Sequence, residues 1–150
     1  IGGGTVDLVG FVDGMPDGKY AISDKATLYC INKVNDEMVA RLGASVPPYF
    51  VESFMRNGDY DCPDKYRTEI TRCLREYSSD IYDVIRANHY NLDLTNMVFM
   101  GGGASIIKHF GNNKNKKVQF VTDVCANAKG CEAAVKSIMR AKQMRKEARA

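Results

Sequence analysis

Several features that mark common classes of protein are missing from this chain of 150 residues. No apolar run approaches the roughly 18 residues that a membrane-spanning helix needs. No segment has the form of a secretory signal peptide. The formal net charge is only +3, so neither sign dominates the surface. The hydrophobic content of 45% is enough to bury a core, and we expect a globular domain without a membrane partner.

The cysteines do not have the pattern of a zinc site. Their number is odd, no two have the spacing of a zinc site, and no histidine lies near them as a ligand partner. They are Cys30, Cys62, Cys73, Cys125 and Cys131. We expect buried or partly buried thiols in a reducing compartment, which places the protein in the cytoplasm.

The chain opens on a glycine-rich segment, Ile1–Asp7 (IGGGTVD), at the head of a β-rich run. Glycine lets backbone N–H groups approach an anion closely because no Cβ intervenes. The hydroxyl of Thr5 and the carboxylate of Asp7 then have the chemistry to serve a phosphate or a hydrated metal ion. No initiator methionine precedes the motif, so we expect the chain to be one piece of a longer protein.

A second glycine cluster lies in Val98–Ser105 (VFMGGGAS), where an apolar strand runs into three glycines and then a helix. One such turn by itself is more often an ordinary tight turn. Two in one small domain indicate instead a nucleotide held from two sides. Because ligands of α/β sheets bind outside the carboxyl ends of strands, both turns should open onto one groove.

These segments resemble motifs of the actin-like ATPases, the superfamily of actin, sugar kinases and DnaK-type chaperones. Ile1–Asp7 is similar to the second phosphate motif, and Met100–Ser105 to the adenosine motif. Thr27–Asn32 and Cys125–Gly130 are similar to segments of bacterial plasmid-segregation actins of the ParM/StbA type, although Cys30 stands where many relatives have glycine. The resemblance spans nearly the whole chain and corresponds to the second, C-terminal half of such an ATPase.

The resemblance implies a role for each motif residue. Thr5 would help to wrap the β- and γ-phosphates of ATP or ADP, and Asp7 would hold water bound to Mg²⁺. Thr5 and Asp7 are thus the catalytic candidates, and Asp7 is also the metal candidate. The other cofactor-binding candidates are Gly2, Gly3 and Gly4 on the phosphate side, and Gly101, Gly102, Gly103, Ala104, Glu52 and Arg56 on the adenosine side. By spacing alone, Glu52 and Arg56 are also an ordinary i,i+4 surface pair.

The hydrophobic pattern predicts the order of the elements. Strands are predicted at Thr5–Asp13, Tyr20–Ser23, Ala26–Ile31, Asn96–Met100 and Val118–Val121. Helices are predicted at Asn32–Leu42, Pro47–Arg56, Pro63–His89 and Ser105–Phe110, followed by a last helix that starts at Asn127 and turns Cys131, Val135, Ile138 and Met139 inward. This order matches an α/β ribonuclease-H-like fold. It implies a mixed five-stranded sheet in the order 3-2-1-4-5, with helices packed on it and a small helical insertion over about residues 44–89.

Two functions remain open. The first is the nucleotide-binding half of a filament-forming actin-like ATPase in plasmid DNA segregation. Its partners would be further copies of itself, the missing N-terminal half and a DNA-binding adaptor. The alternative is a monomeric chaperone-type ATPase or small-molecule kinase of the same superfamily. In either case this fragment alone should not hydrolyse ATP at a useful rate. The basic end of the last helix is either a solvated tail or a contact for nucleic acid or an acidic neighbour.

Overall fold

The computed structural model describes residues 1–112 and 115–147, and within them it has four strands and five helices. The strands are β1 Val6–Val12, β2 Met15–Ser23, β3 Met97–Met100 and β4 Val118–Val121. The helices are α1 Thr27–Leu42, α2 Pro48–Asn57, α3 Asp64–Ala87, α4 Ala104–Phe110 and α5 Ala126–Glu147. None of these helices is long and apolar enough to cross a membrane.

The strands form two separate two-stranded sheets. β1 and β2 make an antiparallel hairpin, whose turn residues Asp13 and Gly14 have φ of 51° and 78°. β3 and β4 pair in parallel from Met97 opposite Val118 to Met100 opposite Val121, and α4 lies between them in the chain. The predicted five-stranded ribonuclease-H-like sheet in the order 3-2-1-4-5 is therefore wrong.

One reason is that the segment predicted as the third strand begins a helix. Thr27 and Leu28 donate their backbone N–H groups to the carbonyl oxygens of Gly2 and Gly3, at 3.2 and 3.1 Å. These carbonyls cap the first turn of α1, in which Ala26 provides no side-chain cap. From Cys30 onward the buried residues recur at helical spacing, so the β-favouring composition of this segment is outweighed by packing.

The second reason lies at the start of the chain, where the two sheets come close without joining. The backbone nitrogen of Ile1 donates to the carbonyl of Met100 at 2.6 Å, so residue 1 meets the end of β3. The N–H of Gly2 then bonds back to the carbonyl of Thr5 at 2.9 Å. This turn leads the chain away from β3 before β1 begins, and β1 pairs only with β2.

The core is built mainly by α1 to α4. The side chains with no more than 1% exposure come almost entirely from these helices, and they include Met38, Phe54, Ile70, Leu74, Tyr77, Ile81, Ile106 and Ile107. The predicted periodicity of the long helix is confirmed, since its buried residues run from Ile70 to Ile85 along one face of α3. α2 and α3, which fall in the range predicted as an insertion, belong to this same core.

The last helix departs from its prediction. Cys131, Val135, Ile138 and Met139 are exposed on α5, so the prediction that they face inward is wrong. Their spacing is that of a buried helix face, but the two short sheets do not extend beneath them. Arg149 and the side chains of Arg145 and Lys146, which belong to the basic end of this helix, lie outside the described part of the chain.

Candidate nucleotide-binding cleft

The structure brings the two glycine turns together although about a hundred residues separate them in sequence. We name Gly2–Thr5 the first glycine turn and Gly101–Ala104 the second glycine turn. Ile1 connects them, because its nitrogen bonds to Met100 and its carbonyl accepts the N–H of Gly103 at 3.2 Å. Both turns open onto one cleft, as the sequence predicts.

The cleft has a volume of about 1050 Å³, which is at the upper end of the range of small-ligand sites. One wall consists of the hairpin and the first glycine turn, and another of α1, α2 and α4. The residues after β4 and the start of α5 complete it. The lining residues outside the predicted set include Thr27, Leu28, Ile31, Met55, Lys108, His109, Thr122, Val124 and Asn127.

Most of the predicted site residues line this cleft. They are Gly2, Gly3, Thr5, Asp7, Glu52, Arg56, Gly101 and Gly102. Glu52 and Arg56 both face the cleft, and no ion pair joins them in the described structure. Both side chains are exposed, so a surface position and a cleft-wall position describe them equally well.

Three predicted residues are not among those that line the cleft: Gly4, Gly103 and Ala104. Ala104 is fully buried at the start of α4. A Cβ on Gly103 would lie 2.3 Å from Cγ2 of Ile1, so glycine is needed there for the two turns to pack against each other. A Cβ on Gly4 would meet no atom within 4 Å, since this residue projects into open space.

In the first glycine turn, backbone carbonyl groups bond to α1, whereas two backbone N–H groups have no acceptor in the described structure. Its carbonyls at Gly2 and Gly3 cap α1, where Thr27 adds a bond from its Oγ1 to the Gly2 carbonyl at 3.2 Å. The N–H groups of Gly3 and Gly4 donate to no acceptor among residues 1–112 and 115–147. These two N–H groups are therefore available to an anion, as in other glycine-rich anion-binding turns.

Asp7 is held by two hydroxyl groups. Thr5 Oγ1 donates to Asp7 Oδ2 at 3.0 Å, and the Tyr20 hydroxyl donates to Asp7 Oδ1 at 3.1 Å. The pKa of Tyr20 is raised because the carboxylate holds its proton. Both oxygens of Asp7 thus accept a hydrogen bond next to the first glycine turn.

The acidic groups of the cleft are sparse. No cluster of three histidine, cysteine or acidic side chains occurs in the ranges that the structure describes. Mg²⁺ is commonly held by one or two carboxylates together with the phosphates of its nucleotide, and it keeps several water ligands. Asp7 and the neighbouring Thr5 hydroxyl have the oxygen chemistry for that arrangement.

Two basic side chains of the cleft add positive charge. Lys108 on α4 was not predicted, and it lines the same cleft as Arg56 on α2. His109 connects the two helices, because its Nε2 lies 3.2 Å from the Arg56 carbonyl oxygen. Lys108 lies one helical turn after Ala104, so extending the second motif by i+4 along the predicted helix would have found it.

No protein-family model and no curated protein matches this chain, so its function is inferred from the residues and geometry of the cleft.

Proposed function

We propose that the cleft binds the phosphates and nucleoside of ATP or ADP together with Mg²⁺. We further propose that the chain is the nucleotide-binding half of a filament-forming actin-like ATPase that acts in plasmid DNA segregation. The observation that carries the proposal is the meeting of the two glycine turns on one cleft beside Thr5 and Asp7. The class of protein, an actin-like ATPase, is inferred from the resemblance of both turns to motifs of that superfamily. The two short sheets do not support this class.

In this proposal the phosphates lie against the first glycine turn. The free N–H groups of Gly3, on the cleft wall, and of Gly4 next to it donate to phosphate oxygens, and the Thr5 hydroxyl turns its proton from Asp7 to a phosphate oxygen when the nucleotide binds. Arg56 and Lys108 balance the charge of the nucleotide. A bound Mg²⁺ would neutralise phosphate charge, and Asp7 would accept hydrogen bonds from its water ligands. The reaction of the complete protein is attack of water on the γ-phosphate, in which positioning and electrostatic stabilisation account for most of the catalysis.

The narrower class is supported by where its two segments lie. Thr27–Asn32 forms the first turns of α1, which the first glycine turn caps. Cys125–Gly130 leads into α5, and its Asn127 lines the cleft. Both segments that resemble the plasmid-segregation actins are therefore at the proposed nucleotide site. Filament formation would require further copies of the chain, the N-terminal half and, for segregation, a DNA-binding adaptor.

Calorimetric titration of the 150-residue chain with ATP, with and without Mg²⁺, tests the site. We expect weak, saturable binding that Mg²⁺ strengthens, and Asp7→Asn should remove the benefit of Mg²⁺, a loss of about tenfold in affinity. Asp24→Asn is the matched control, because Asp24 is exposed and does not line the cleft. Phosphate release measured in parallel should be negligible.

Three results would contradict the proposal. These are no saturable binding at millimolar nucleotide, equal effects of Asp7→Asn and Asp24→Asn, or an affinity that Mg²⁺ leaves unchanged. Rapid ATP turnover by this chain alone would instead show that the complete catalytic machinery lies within it. Pelleting of the full-length protein with ATP, followed by electron microscopy, separates a filament from a monomeric ATPase or kinase.

A further inference from the structure

Asp7 accepts hydrogen bonds from two hydroxyl groups that lie in different parts of the fold. Thr5 belongs to the first glycine turn and lines the cleft, and its Oγ1 donates to Asp7 Oδ2 at 3.0 Å. Tyr20 belongs to β2, and its hydroxyl donates to Asp7 Oδ1 at 3.1 Å. None of the described residues that line the cleft comes from β2. Thr5 can therefore touch a bound ligand directly, whereas Tyr20 acts on the cleft through Asp7.

The register of the hairpin brings Tyr20 to Asp7. Asp7 is opposite Ile22, and Val9 is opposite Tyr20, so Asp7 and Tyr20 are diagonal neighbours on one face of the strand pair. Diagonal neighbours are about 7–8 Å apart, a distance that an aromatic side chain spans. The pairing becomes irregular between Val9 and Phe11, so the register is regular where this contact is made. A slip of β2 by one residue would move Tyr20 to the other face and break the bond.

The side chain of Tyr20 contributes little to the core. It is 61% exposed, and Tyr20 belongs neither to the buried core nor to the half-buried residues that pack against it. Its hydroxyl, in contrast, donates to a charged group, and such hydrogen bonds are stronger than those between neutral groups. The bond to Asp7 is therefore the main interaction that the described structure gives this side chain.

A bound nucleotide would change the partners of Asp7. A hydroxyl has one proton to donate, so Thr5 cannot serve Asp7 and a phosphate oxygen at the same time. In the proposed function the Thr5 hydroxyl turns to phosphate, which releases Asp7 Oδ2. Tyr20 is not part of the cleft wall and keeps its bond to Asp7 Oδ1. One oxygen of Asp7 then stays held while the other is open to the water ligands of Mg²⁺.

We propose that Tyr20 is the positioning residue for Asp7, because it holds the carboxylate once Thr5 has turned to the phosphates. The inference rests on the proposed Mg²⁺–nucleotide site and extends that site to a residue of β2. It gives the two hydroxyl groups different roles. Thr5 supports phosphate binding with or without Mg²⁺, whereas Tyr20 supports only the part of the affinity that depends on Mg²⁺.

Calorimetric titration of the 150-residue chain with ATP, once in EDTA and once in Mg²⁺, tests the inference. We define the Mg²⁺ benefit as the ratio of the two dissociation constants, and we expect it to be about tenfold in the wild type. Tyr20→Phe should reduce this benefit to about threefold, because it removes a hydrogen bond to a charged but exposed group. The dissociation constant in EDTA should stay within about twofold of the wild type.

Two further variants provide the comparison. Tyr49→Phe is the matched control, because Tyr49 is also 61% exposed but does not line the cleft, and it should keep the full Mg²⁺ benefit. Thr5→Val should weaken binding by about threefold or more in EDTA as well as in Mg²⁺, because it removes a donor to phosphate. Circular dichroism checks that each variant is folded.

The possible results separate this inference from the proposed function. A wild type without any Mg²⁺ benefit overturns both. A benefit that Tyr20→Phe retains in full overturns the role of Tyr20 alone. An equal loss of affinity by Tyr20→Phe in EDTA and in Mg²⁺ also overturns it, because Tyr20 would then support the hairpin as a whole and not Asp7. A Thr5→Val variant that loses affinity only in Mg²⁺ overturns it as well, since Thr5 would then be the donor that holds Asp7.

Discussion

Gly101→Ala should destabilise the protein at the point where the two glycine turns meet. Gly101 has a φ of +89°, a backbone conformation that residues with a side chain rarely adopt. A Cβ at this position would lie 2.7 Å from the carbonyl oxygen of Ile1, which is a backbone atom and not a flexible side chain. The substitution therefore strains the turn and also pushes the two turns apart.

The expected magnitude follows from these two effects. Placing an L-residue in the left-handed region costs about 1–2 kcal/mol. Inserting a methyl group into a tightly packed position costs about 1–3 kcal/mol more. Alanine recovers part of this by restricting the unfolded chain, by about 0.4–1 kcal/mol. The free energy of unfolding should therefore fall by about 1–4.5 kcal/mol, and nucleotide affinity should fall with it.

Gly14→Ala is the matched control for the backbone effect. Gly14 has a φ of +78°, and a Cβ there would meet nothing within 4 Å. This variant should lose only about 1 kcal/mol. Urea unfolding followed by circular dichroism measures both variants. Equal losses would refute the reasoning, because the close approach of Gly101 to Ile1 would then contribute nothing.

Two further predictions concern the helical core. Tyr77→Phe should lower the free energy of unfolding by about 1–2 kcal/mol, since the buried Tyr77 hydroxyl donates to the Lys25 carbonyl at 2.8 Å; a urea midpoint equal to wild type would contradict this. Burial raises the pKa of the Cys30 thiol to about 12, so at pH 8 it stays protonated, and iodoacetamide should label the exposed Cys125 and Cys131 well before Cys30. Mass spectrometry that finds Cys30 labelled at the rate of the other two would contradict the burial.

The helices with a strong amphipathic pattern were predictable from sequence. α3 was found because its apolar residues follow one helix face over its whole length. α2 was found from Pro48 at its start and Gly58 after its end, where Gly58 has a φ of +83°. These signals are local, so they do not depend on the rest of the fold.

The start of α1 and the surroundings of α5 were not predictable in the same way. α1 begins at Thr27 because carbonyls of Gly2 and Gly3, distant in sequence, accept its first N–H groups. The spacing of Val135 and Ile138 indicates an amphipathic helix but does not say what covers its apolar face. The start of α1 depends on a contact between segments that are distant in sequence. The exposure of the apolar face of α5 reflects the lack of such a contact in the described structure.

The candidate site was largely predictable because its residues occur in short motifs. The convergence of the two glycine turns follows from the motifs, and Glu52 and Arg56 were placed by the resemblance. The second motif predicts that Gly103 contacts the ligand, whereas the structure uses its lack of a side chain for packing against Ile1. That distinction depends on a distance between two turns, which no local pattern contains.

The walls of the cleft differ in how firmly the fold holds them. Ile31 and Met55 belong to the helical core and are buried, whereas Asp7 and Val9 belong to a two-stranded hairpin with an exposed face. Amide protons in a packed core exchange with solvent mainly through global unfolding, whereas those of an edge hairpin exchange through local opening. A ligand that contacts both walls restrains the hairpin. Part of its binding free energy is therefore offset by the conformational entropy that the hairpin loses. Its affinity then reports the local stability of the hairpin as well as the quality of its contacts.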